Sequence, residues 1–222
     1  MMNNYNSLSS RFGTWLKNGI GDSGGSPPTS QSKTSWLVML LLLLTVSVGH
    51  RTWAQSTANY VFSTNTTGSL ASDLNSNAID MSTGTTQLVA ADLDDTSSAV
   101  TNIGFDFVMY GRLFTQFSTS SNGVIQLGSS AVGTTTYVLS GGSTTTPRIG
   151  ALAADLRTGA AGKVHYKVVG TAPNRCLVIE YSNMSITFVA SPGSSDGTYQ
   201  VRLYESSGVI EFVYGSMFKN AS

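Results

Sequence analysis

The chain has 222 residues, with 12 basic and 12 acidic side chains, and only 11% of its residues are charged. No basic stripe is present to neutralise phosphates, so nucleic acid is excluded as an expected partner. A single cysteine, Cys176, excludes an internal disulfide framework and reads as a small strand hydrophobe.

Residues 36–48, WLVMLLLLLTVSV, form an apolar run after Arg11, Lys17 and Lys33. The run is shorter than the roughly 20 residues that a membrane-spanning helix needs. Thr52-Trp53-Ala54 places small residues three back from, and directly before, a cut ahead of Gln55. This order predicts an export leader with an apolar signal helix over 1–54 and one domain over 55–222. An uncleaved N-terminal anchor is the alternative. The 168 residues after the leader carry 8 basic and 11 acidic side chains, a net of −3. That length suits one hydrophobic core.

Beyond the leader, apolar residues recur at period two between Gly, Ser, Asn and Thr, which predicts strands. Tyr60-Val61-Phe62 and Gln87-Leu88-Val89-Ala90 read as short strands, with a polar, loop-rich stretch from Asn65 to Gly84. Ile103, Phe105 and Phe107 alternate with Gly104, Asp106 and Val108. A turn at Tyr110-Gly111 leads into Leu113 to Ser118. Ser121-Asn122-Gly123 is a strong turn signal, because Asn and Gly accept positive φ, and Val124 to Leu127 follows as a strand. Residues 128–147 read as a surface loop, and order resumes over Arg148 to Leu156. Gly162 to Val169 and Arg175 to Asn183 form a pair. In it, Leu177, Ile179 and Tyr181 share one face, and Cys176, Val178 and Glu180 share the other. Residues 190–196 read as a second loop. Seven or more such strands predict an all-β, antiparallel two-sheet β-sandwich, jelly-roll-like in outline.

The last pair flanks a Ser-Gly turn in GTYQVRLYESSGVIEFVYG. With Ser207 and Gly208 as the central residues, Leu203 falls opposite Phe212, and Val201 opposite Tyr214. Val201, Leu203, Ile210, Phe212 and Tyr214 then form a buried apolar face, and Arg202, Tyr204 and Glu211 a polar outer one. On that reading Arg202 and Glu211 make a weak exposed pair. Phe212→Ala should then cost about 2–5 kcal/mol and Arg202→Ala less than about 1.

Few residues suit chemistry. His165, in GKVHYKV, reads as a solvent-side strand histidine, and no Gly-x-Ser-x-Gly elbow accompanies it. Asp155 and Glu180 could form a glycosidase pair, but both read equally well as surface strand residues. Asp92, Asp94 and Asp95, with Asp106 nearby, offer the hard oxygen ligands that suit calcium, without the EF-hand spacing. A solvated acidic turn is the alternative. No catalytic residue and no further cofactor is expected.

The segments AVTNIGFDFVMYGRLFTQFSTSSNGVIQLG, RIGALAADL, GKVHYKVVGTAPNRCLVIEYSNM and TYQVRLYESSGVIEFVYG together resemble the N-terminal β-sandwich module of bacterial surface and secreted proteins of the type IX secretion, sorting-domain class. More distantly, they resemble the nidogen-like extracellular domain. The resemblance covers about residues 58–215. Relatives carry Trp-Asp-Asp-Leu where this chain has Ala153-Ala154-Asp155-Leu156, so only Asp155 and Leu156 match. The resemblance implies an exported, non-enzymatic module for adhesion or architecture, with an extracellular protein or glycan ligand and a domain cut short at its C-terminus. A carbohydrate-binding module, displaying Tyr137, Tyr166 or Tyr204, and an accessory domain of a secreted hydrolase are the alternatives.

Overall fold

The computed structural model of the chain describes residues 60–186 and 197–217. The expected leader with its signal helix and the expected loop at 190–196 lie outside the described residues. Nine strands are present there: β1 (Thr86–Val89), β2 (Thr101–Met109), β3 (Arg112–Thr119), β4 (Ile125–Leu127), β5 (Arg148–Ile149), β6 (Arg157–Val169), β7 (Cys176–Ser185), β8 (Gly197–Tyr204) and β9 (Ile210–Met217). They form two antiparallel sheets, ordered β1-β6-β7-β8-β9 and β2-β3-β4-β5. The all-β, two-sheet expectation is met. In place of the Greek-key interleaving of a jelly roll, each sheet is a meander in chain order, with β1 alone added out of sequence beside β6. Tyr60-Val61-Phe62 forms no strand and is exposed.

Local chemistry sets these hairpins. Tyr110 and Gly111 both take positive φ, 54° and 70°, as a two-residue turn between twisted strands requires. At the β3–β4 turn, Ser120 N–H donates to Val124 O at 3.0 Å and Gly123 N–H to Ser120 O at 3.2 Å. Gly123 has φ 76°, and a Cβ there would run into the Leu152 carbonyl. Only glycine fits both demands.

The inner faces pack as the alternation predicts. Ile103, Phe105, Phe107 and Met109 of β2 meet Leu177, Ile179 and Tyr181 of β7 and Tyr199, Val201 and Leu203 of β8 in one core. Tyr181 and Tyr199 stack at 4.6 Å between centroids. Each fully buried Leu, Ile or Phe contributes about 1.5–3 kcal/mol. Across the rim, Arg175 grips Glu205 with two nitrogens and donates to Gly104 O of β2 at 2.8 Å, clipping the sheets together.

The outer face of the larger sheet is not wet. Residues 69–83 run across it as a strap. Ile79 and Met81 pack on Val169, Cys176, Val178 and Tyr204 in a second apolar cluster. Lys167 Nζ donates to Asp80 O and Thr83 O at 2.7 and 2.9 Å. The Asp73 carboxylate accepts from Asn75 N–H and Asn77 N–H, shaping the bend of the strap.

The final hairpin departs from expectation in two ways. Its loop is four residues, Glu205 to Gly208, closed by Tyr204 N–H to Val209 O and Gly208 N–H to Tyr204 O, both at 3.1 Å. The longer loop takes in Glu205 and Ser206, so Val201 faces Phe212 and Leu203 faces Ile210. The slip of two residues preserves which side chains share a face. Burial is reversed. β9 is an edge strand, and Phe212 and Tyr214 remain 39% and 49% exposed. Arg202 is only 1% exposed. Its guanidinium donates to Ser69 O at 2.7 Å, Ser72 O at 2.8 Å, Gln200 Oε1 at 2.6 Å and Glu211 Oε2 at 3.1 Å.

The expected mutational order therefore inverts. Arg202→Ala strands Glu211 and the strap carbonyls and should cost about 3–5 kcal/mol, against about 1 for Phe212→Ala at an open edge. Urea melts of both variants check this, and equal losses would refute the inversion.

Candidate functional site

Antiparallel register lines up polar residues from neighbouring strands on the strap side. His165, Glu180 and Gln200 are direct cross-strand partners, as are Val178, Arg202 and Glu211, and Cys176 and Tyr204. The first row is a continuous relay. Thr85 Oγ1 lies 3.0 Å from His165 Nδ1, and His165 Nε2 lies 2.9 Å from Glu180 Oε1. Gln200 Nε2 donates to Glu180 Oε2 at 2.7 Å and to Leu70 O of the strap at 3.2 Å. Arg202 continues from the Gln200 carbonyl to Glu211, whose Oε2 also accepts from Tyr204 O–H at 2.6 Å. Tyr204 Oη in turn accepts from Leu74 N–H at 2.9 Å.

His165, expected at the solvent side, is thus buried, and so is Glu180. The strap supplies the cover that the parity argument assigned to water. Burial pushes the Glu180 carboxyl up, but hydrogen bonds from His165 and Gln200 and the nearby positive charge outweigh it, and the group sits below its ordinary value. Burial raises the Cys176 thiol to about 12, which keeps it a neutral packing group rather than a nucleophile.

Hydroxyl, imidazole and carboxylate stand here in the order of a nucleophile triad. Both oxygens of Glu180 are hydrogen-bonded, and the ring lies between Thr85 and Glu180. Asp155, the other carboxyl of the considered glycosidase pair, is exposed and joins a different group.

That group forms where loops meet. Asp94, Asp95 and Asp155 each place one carboxylate oxygen within 4.8 Å of the others. Asn122, fully buried, organises the neighbourhood. Its Nδ2 donates to Asp95 Oδ1 at 3.0 Å and Thr134 O at 3.1 Å, and its Oδ1 accepts from Leu156 N–H at 2.8 Å. Asp92, grouped with Asp94 and Asp95 on sequence, instead pairs with the Arg157 guanidinium. One oxygen from each of three carboxylates falls short of the six to eight that calcium takes, and one Asp95 oxygen is already engaged by Asn122.

The aromatics considered for sugars separate. Tyr204 is buried, Tyr166 packs edge-on against Phe117, and Tyr137 is exposed. An open hollow is lined by Tyr60, Val61, Val108 and the β8–β9 loop; its carboxylate, Glu205, is held by Arg175.

The family model described as NIDO related matches residues 59–222. The chain belongs to the NIDO-related family. The match spans both sheets and the strap, so the distant nidogen-like resemblance holds over the whole described fold of this NIDO-related chain. No curated protein and no solved structure matches it. The sequence read β7 parity correctly but missed the relay. The signal was present: Val169, Cys176 and Val178 share parity with His165, Glu180 and Arg202, and a wet face has little use for the apolar three.

We expect Glu180→Gln to cost about 1–3 kcal/mol at neutral pH. A carboxylate with a depressed folded-state pKa stabilises fully above its unfolded value of about 4.3 and loses that contribution as pH falls through the folded value. The stability gap between parent and variant should therefore close in acid. Urea midpoints across the acid range measure it, and a gap independent of pH would show that the charge contributes nothing.

Proposed function

We propose that this chain is an exported, non-enzymatic module of the bacterial cell surface or medium, serving adhesion or architecture. The observation that carries the reading is the use of its buried polar groups. His165, Glu180, Gln200, Arg202 and Glu211 spend their hydrogen bonds on one another and on the strap, rather than on an open cleft. The apolar run before Thr52-Trp53-Ala54 and the low charge support export. Membership of the NIDO-related family supports an extracellular setting through the nidogen-like resemblance. Passage by the type IX route is the finer form of the same reading.

Calcium at the acidic loop group is a secondary proposal, favoured by the arrival of Asp155 beside Asp94 and Asp95. With three side-chain oxygens and water completing the shell, binding would be weak. Calcium should raise the thermal midpoint of the parent, and Asp155→Asn should abolish the rise. No rise with the parent would sink it.

For the main reading, the chain expressed in a type IX-competent bacterium should appear outside the cell with Gln55 as its first residue, and deleting the translocon should retain it. Beads coated with it should attach to host surfaces more than albumin-coated beads do. Cytosolic retention, or attachment no better than albumin, would overturn the proposal. So would covalent labelling of Thr85 by a fluorophosphonate, since that would mark the Thr85–His165–Glu180 series as reactive.

A further inference from the structure

We infer that the edge of β9, which pairs with no further strand among the described residues, is a pairing surface for a second copy of this chain. Tyr204 and Val209 form a hydrogen-bonded pair, with Tyr204 N–H donating to Val209 O at 3.1 Å. Such pairs alternate along an antiparallel ladder. Arg202 with Glu211 and Gln200 with Val213 are therefore also hydrogen-bonded pairs in the observed register. Ile210, Phe212 and Tyr214 consequently turn their N–H and C=O groups away from β8. No backbone partner meets them among the described residues, and β9 ends the sheet.

Natural edges are blunted by lysine, proline or inward charge. The sequence of β9, IEFVYGSM, contains neither lysine nor proline. Its one charge, Glu211, is neutralised by Arg202 and Tyr204. The same three residues that offer backbone groups outward also hold their side chains on the half-open inner face, where Phe212 and Tyr214 are 39% and 49% exposed.

These features are self-complementary under a two-fold axis. With Phe212 opposite itself, Ile210 falls opposite Tyr214 of the second copy, and Glu211 opposite Val213. The outward backbone groups of Ile210, Phe212 and Tyr214 then find mates, the apolar side chains of both copies share one face, and no like charges meet. A partner strand bearing charges would leave them unpaired against Phe212 and Tyr214, so the edge favours its own copy. The inference does not rest on the adhesive role.

Light scattering of the full chain over a dilution series tests it. We expect a two-chain mass for the parent and a one-chain mass for Phe212→Lys, with the circular dichroism spectrum unchanged. Leu93→Lys, altering an exposed apolar residue outside the strands that is tied to β6 and not to β9, should remain two-chain. As a second readout, Phe212→Cys should link two chains on mild oxidation. A hydrogen-bonded pair sets Cα atoms about 5.5 Å apart, within disulfide reach, and Cys176 is buried. Leu93→Cys should not link. A one-chain parent mass at every dilution would overturn the inference. So would a two-chain mass that Phe212→Lys leaves intact and Phe212→Cys fails to trap.

Discussion

Arg202 beneath the strap is the constraint on which the rest of the larger sheet depends. Its guanidinium joins β8 to β9 through Glu211, to its own strand through Gln200, and to the strap through Ser69 O and Ser72 O. A buried guanidinium tolerates no vacancy among its partners, because desolvation is costly unless each donor is met. Residues 69–72 must therefore lie where their carbonyls meet the planar fork. Once they do, Ile79 and Met81 reach Cys176 and Val178. Polar geometry fixes the position, and apolar burial supplies most of the favourable free energy.

The two layers of the molecule thus follow different rules. Between the sheets, alternating Ile, Phe and Leu side chains need only approximate shape and volume to associate. Under the strap, the row from His165 to Gln200 demands donor against acceptor at each step. A shift of β7 by one residue would pair Glu180 with an apolar neighbour and leave a buried carboxylate alone. The polar row consequently penalises wrong registers that the apolar core alone would penalise less. In this protein we regard register selection as the role of the row, since an apolar replacement of equal volume would stabilise as well.

What the sequence disclosed follows the same division. The β2 alternation of Ile103, Phe105 and Phe107 was legible because period two has one reading when half the residues are aromatic or branched. The turn at Asn122-Gly123 was legible because its φ demand is local. Parity on β7 was right for all six residues assigned. What covers a polar face was not legible there, because water and a strap of backbone carbonyls satisfy Arg202 equally well on paper. The hairpin register failed for a related reason. Glu205 belongs to the loop, where Arg175, 30 positions earlier, holds its carboxylate, a tie that the local pattern does not show. At the acidic loops, Asp94 and Asp95 were found from sequence adjacency, whereas Asp155 joins them through the non-local ties of Asn122 to Leu156 N–H and Asp95. Adjacency equally misgrouped Asp92, whose charge is taken by Arg157.

Covering both faces of the larger sheet has a consequence for where this module can meet anything else. β6, β7 and β8 bury one face in the core and present the other to the strap or the polar rows beneath it. On this sheet, contact is left to edges and loop ends. The loop end holding Asp94, Asp95 and Asp155 is negative and tied by the buried Asn122 together with Thr158 and Ser121. The β9 edge is neutral and apolar, with backbone groups directed outward. Two surfaces so different in chemistry do not compete for one partner. The edge offers geometric pairing that ionic strength hardly alters, whereas the acidic loops respond to salt and cations. Opening the larger sheet from the strap would require exposing the Arg202 network together with the apolar cluster above Cys176.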